Sequence, residues 1–177
     1  MPKNGSAPDP YITVGKTLQD NTNDFSYIAQ GLYYPYIRNR TSYYCPLDRK
    51  DNPNFLRRVQ RVSSYIMNGA VCGFGAYLGE FKASGHKFHI SDFPPTAWMQ
   101  WEPKVNSYGG YFGYNSGLDA SQVPNNEEGI GNRHGKGAGI LGIDARVQWI
   151  TLRDFDREAS IHPGSLYCVP GSSTGGF

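Results

Sequence analysis

Two hydrophobic blocks dominate the C-terminal third of the chain. Ala138 to Ile143 is an apolar run, Asp144-Ala145 interrupts it, and Arg146 to Leu152 is rich in β-branched and aromatic residues. Two such runs separated by two residues, the first of them Asp, predict a tight antiparallel hairpin. By the period of two, Val147, Trp149 and Thr151 share one side of its second strand. Upstream, Phe25, Ile28, Ala29 and Leu32 fall at helical spacing behind Asp24, a suitable N-cap, and Pro35 limits the helix at its C-terminal end. Val62 to Ala70 reads as a strand and Ala76 to Glu80 as a weaker one. Lys87 to Ile90 reads as a short strand or helix entry, and Asp92 to Trp101 leads into another strand. Residues 46–61 read as a solvated basic loop with a helical turn around Phe55–Val59. Residues 106–131 form a long Gly-, Asn- and Tyr-rich insertion, and Leu152 to Glu158 form a short capped element. With three prolines, residues 1–10 read as a tail or extended arm, leaving 11–177 as one domain.

Composition narrows the class. A chain of 177 residues can bury a sizeable core. Charged residues make up 18%, and the net charge of +2 argues for neither a nucleic-acid partner nor an anionic membrane surface. No apolar run approaches the roughly 18 residues of a membrane span. With 22 Gly and 12 Pro, punctuation recurs too often for long helices. Three cysteines, without a Cys-x-x-Cys pair, fit one disulfide plus a free thiol or three buried thiols better than a zinc site.

Few residues group as chemistry would require. No nucleophile elbow, phosphate loop or dinucleotide fingerprint is present. His134 has no catalytic companion in sequence, and hydrogen bonding to Asp144 across the hairpin base is the role expected of it. Trp98 and Trp101, three apart on a strand, are expected to face opposite sides, one core and one exposed. With the glycine-spaced rings Tyr108, Tyr111 and Tyr114 they form a candidate platform for polysaccharide or for a protein surface.

Four stretches, in order, carry a family resemblance: Leu32-Tyr33-Tyr34-Pro35-Tyr36-Ile37, Tyr43-Tyr44-Cys45-Pro46-Leu47-Asp48, Ser63-Ser64-Tyr65-Ile66-Met67-Asn68-Gly69, and His134 followed after nine residues by Asp144-Ala145. Together they resemble the prepilin-type processing-associated H-X9-DG domain proteins, bacterial relatives of type II secretion pseudopilins, over residues 25–158. The family has Gly where this chain has Ala145. Its basic leader and long apolar helix have no counterpart in Met1–Pro10, so the expectation is that both were removed, or that the chain is soluble from its first residue.

The resemblance implies an α+β, pilin-like domain with an antiparallel sheet, a short helix and long loops. It implies an extracytoplasmic, non-catalytic structural subunit that associates with other pilin-like subunits or with itself; a carbohydrate-binding module is the alternative. No cofactor is implied beyond calcium, which major pseudopilins hold near their C-terminal loops. Here Asp154, Asp156 and Glu158 are the candidate ligands, although they lack the glycine and spacing of an EF-hand. In the oxidising compartment so inferred, Cys45 and Cys72 are the expected disulfide, both lying beside predicted sheet elements.

Overall fold

A computed structural model describes residues 28–29, 31, 33–49, 63–73, 88–104, 121–122, 124 and 129–176. The expected helix start at Asp24–Tyr27, the basic loop, the strand at Ala76–Glu80 and the rings Tyr108, Tyr111 and Tyr114 lie outside the described residues. The chain divides into two compact units, Met1–Tyr65 with Ser116–Ala120 and Ile66–Asn115 with Ser121–Phe177.

In the first unit, a single helical turn α1 (Tyr34–Ile37) carries Pro35 at its start. The proline opens this turn instead of closing a preceding helix, because its missing N–H falls where a helix has no partner for one. Arg38, in the left-handed region at φ 49°, ends the turn with its N–H on the Tyr34 carbonyl. A 3₁₀ turn at Arg40–Tyr43 follows, capped by Asn39, whose side chain accepts from the Thr41 N–H. Beyond it the Ser64 N–H donates to the Tyr43 carbonyl at 2.8 Å. The Ser64 hydroxyl donates to Asp48 Oδ2 at 2.6 Å, with both residues buried. Such a bond ties Cys45-Pro46-Leu47-Asp48 to Ser63-Ser64-Tyr65 across 16 positions of chain.

The second unit is built on a sheet of five strands: β1 (Ile66–Asn68), β2 (Trp98–Trp101), β3 (Ser121–Gln122), β4 (Gly137–Gly142) and β5 (Val147–Thr151), ordered β3-β1-β2-β4-β5. Neighbours from β1 to β5 run antiparallel, and two-residue β3 joins β1 in parallel. No strand is expected at Ser121 from sequence, because its pairing with Met67 spans more than fifty positions. Strand β1 is shorter than Val62–Ala70 because the Asn68 side chain turns the backbone: its Oδ1 accepts the Ala70 N–H, and its carbonyl accepts from Val71 and Cys72. Where a short strand or helix entry was expected at Ile90, a 3₁₀ turn, Ile90–Asp92, forms, and the His89 N–H donates to Asp92 Oδ2 at 2.7 Å.

The hairpin forms where expected, with a different turn. Gly142 donates to Arg146, so three residues form the loop, and Ala145 donates to the Gly142 carbonyl at 3.1 Å. Ala145 takes φ 65°, which makes this a type I turn followed by a left-handed residue, the three-residue hairpin solution. Asp144 Oδ1 accepts the Arg146 N–H and completes the turn.

A bulge corrects the reading of the tryptophans. Trp98 opposes Gly142 while Gln100 opposes Leu141, so two steps on β2 match one on β4. The extra residue returns Trp98 and Trp101 to the same face, where both are buried. Helix α2 (Leu152–Ala159) covers that face. Thr151 caps it, accepting the Asp154 N–H at 3.1 Å, and Phe155 and Ala159, one turn apart, point into the core. Phe155 meets Trp101 edge-on at 5.4 Å among Ile66, Ile130, Ile140, Ile150 and Leu166. No helix among the described residues is long and apolar enough to cross a membrane.

Two consequences are measurable. An alanine in the left-handed region costs about 1–2 kcal/mol, against the 0.5–1 kcal/mol of chain entropy a glycine adds. Ala145→Gly should therefore raise stability by about 0.5–1 kcal/mol in urea unfolding, with the m-value unchanged. Asn68→Leu should lower it by about 3 kcal/mol, because it strands two buried carbonyls described below.

Candidate functional site

Asn68 is fully buried, and its amide nitrogen donates at 2.8 Å to both the Trp98 and Leu166 carbonyls. Nitrogen and oxygen are thus both consumed by backbone, in the turn after β1, in β2 and in the segment after α2. The role is architectural, and it matches the Asn that ends the third family landmark.

His134 does not reach Asp144. Its Nε2 lies 3.1 Å from Glu102 Oε1, on the residue that follows β2. Glu102 is buried and continues the ladder: its N–H donates to the Gly139 carbonyl, and its carbonyl accepts the Gly131 N–H. The imidazole meets the Trp149 ring edge-on at 5.8 Å. Nothing in sequence paired His134 with Glu102, since 32 residues intervene. Asp144 instead belongs to Arg146, whose guanidinium donates to Asp144 Oδ1 at 2.8 Å and to the Pro95 and Thr96 carbonyls, while lying 4.0 Å above the Trp98 ring. The Asp144 carboxyl is held below the usual range by its hydrogen bonds from the Arg146 backbone and side chain and by that guanidinium's charge. Trp98, sandwiched this way, offers no open ring face, and Trp101 lies in the core; neither serves the aromatic platform.

Of the three calcium candidates, Asp154 and Glu158 lie one turn apart on the same side of α2. On α2, Asp154 and Asp156 project to opposite sides of the helix, as residues two apart must. Asp154 is bonded to the Thr151 hydroxyl and to Arg157, and its carboxyl is lowered mainly by that hydroxyl. The expected disulfide is absent as well: Cys45, Cys72 and Cys168 are all thiols. Cys45 and Cys168 are buried, and Cys168 Sγ accepts from the Asn68 amide at 3.9 Å.

An open groove of about 540 Å³ lies between the hairpin turn, α2 and the loops at Pro95 and Ser165. Arg146, Gln148 and Ile150 line it from the sheet, and Asp154, Arg157 and Glu158 from the helix. Sequence gave no sign of it, because it is assembled from four separate segments.

Compared with protein-family models, curated proteins and solved structures, the chain matches none.

Burial pushes the Cys168 thiol up to about 12, and burial raises Tyr167 beside it. The unfolded thiol ionises from about pH 9, so the stabilisation is complete below that pH and is lost as pH rises toward 12. The native protein should lose stability steeply across that window. Cys168→Ala should flatten the loss, and iodoacetamide at pH 8 should label Cys168 only after denaturation.

Proposed function

We propose that this chain is a pseudopilin-like structural subunit that works outside the cytoplasm in a pilus-like or type II secretion-like assembly, and that it is not an enzyme. One observation carries the reading. Each of the last three family landmarks, including the signature, is spent on a bond that shapes the fold. Asp48 accepts from Ser64; Asn68 spans two carbonyls; His134 meets Glu102; and Ala145, where the family has Gly, occupies the left-handed position that favours glycine. A catalytic signature would instead gather such residues around open space for a substrate. The pilin-like character of the sheet is part of this proposal. Its support is an antiparallel sheet covered on one face by α2, with Val147 and Trp149 exposed on the other side of β5, as a surface used in assembly would be. A glycan module resting on Trp98 and Trp101 has no such support, since both rings are buried.

Tagged protein expressed in its own cells should appear in the envelope and in fibres sheared from the surface, and cross-linking should join it to pilin-like subunits. Recovery from the cytosol alone, with nothing in the sheared fraction, would overturn the proposal.

A further inference from the structure

Strand β5 is the last strand of its sheet, and its backbone is half used. The Gly142 N–H bonds to the Arg146 carbonyl and the Leu152 N–H to the Lys136 carbonyl, which fixes the alternation of the β4–β5 ladder. Gln148 and Ile150 therefore bond inward to β4, and the N–H and C=O groups of Val147 and Trp149 point away from the sheet. Among the described residues no strand lies on that side. Edge strands are ordinarily guarded by a charge, a proline or a bulge. Val147-Gln148-Trp149-Ile150-Thr151 has no charged residue and no proline, pairs with β4 in unbroken register, and leaves Val147 75% and Trp149 49% exposed.

The groove runs beneath this same strand, and its charges do not cancel. Arg146 is paired with Asp144 at 2.8 Å and Arg157 with Asp154 at 3.2 Å. Glu158, which also lines the groove, has no hydrogen bond or ion pair to its carboxylate among the described residues, so one negative charge is left over.

We propose that β5 is a docking edge for an extended peptide segment of a protein partner, bearing a basic residue between two apolar ones. The segment adds as a further strand, its main chain bonding to Val147 and Trp149. Alternate side chains of a strand fall on opposite faces. The apolar pair thus packs against the exposed Val147 and Trp149 side chains, and the lysine or arginine between them turns under the strand to Glu158. Main-chain bonds supply the affinity and the groove supplies the selection, as in other strand-addition complexes. This does not rest on the pilin-like reading, because the edge and the groove exist whatever the protein's parent assembly.

The test uses the full chain, isotope-labelled, with two capped hexapeptides, Thr-Val-Lys-Val-Thr-Val and the same sequence with Glu for Lys. The lysine peptide should shift the Val147 and Trp149 amides and bind about tenfold more tightly than the glutamate peptide. Glu158→Gln should reduce that preference to under about threefold, since it removes the unpaired charge and leaves the edge intact. Val147→Pro, which deletes an outward N–H, should abolish binding of both. Absence of shifts at Val147 and Trp149, equal affinity for the two peptides, or a preference that survives Glu158→Gln would overturn the proposal. So would shifts of those amides that appear on concentrating the chain alone, because a second copy would then be the occupant. Glu158→Gln touches no side-chain bond among the described residues and remains informative should Val147→Pro fail to fold.

Discussion

The second unit depends on the burial of one primary amide. Asn68 sits where β1 ends, and removing its side chain from water costs several kcal/mol unless every polar atom finds a partner. It finds them in the Trp98 carbonyl, the Leu166 carbonyl and the Ala70 N–H. Those partners belong to β2, to the segment beyond α2 and to the turn after β1. No apolar residue could hold the three together, because each needs a donor or acceptor at a set place. The bulge at Trp98, the course of residues 165–168 and the early end of β1 all meet at this side chain.

What could be read in the sequence was local. The hairpin showed itself through alternating residues and Asp144. The segment Leu152–Glu158 showed itself only as a short capped element, and the structure makes it helix α2. The left-handed site at Ala145 was visible as the place where the pattern this chain resembles has glycine, even though the loop has three residues in place of two. The failures were non-local. A bulge depends on the partner strand, so the spacing of Trp98 and Trp101 placed one of them outside when both are inside. His134 was matched with Asp144 across the hairpin base, whereas its acid, Glu102, follows another strand of the sheet. Pro35 was read as a stop and serves as a start, because the same missing N–H suits the first turn of a helix as well as the residue beyond the last.

The two candidate regions differ in kind. Around Asn68, His134 and Asp144, polar groups are spent on one another or on backbone, which makes the structure specific and leaves little to offer a ligand. Along β5 the reverse holds: among the described residues, the outward backbone groups of Val147 and Trp149 and the Glu158 carboxylate have no partner.

Thr151 ends β5 and also caps α2, with no residue between strand and helix. A connecting loop would let the edge strand peel away while the helix stayed seated. Here the hydroxyl that closes the first helical turn is carried by the last residue of the strand, and Phe155, four residues on, is anchored against Trp101. Displacing the strand pulls the cap from the helix, and unseating the helix drags on the strand. β5 and α2 therefore open and close as one cooperative body, a hinge-free joint in which a force applied at the rim of the sheet is delivered to its interior.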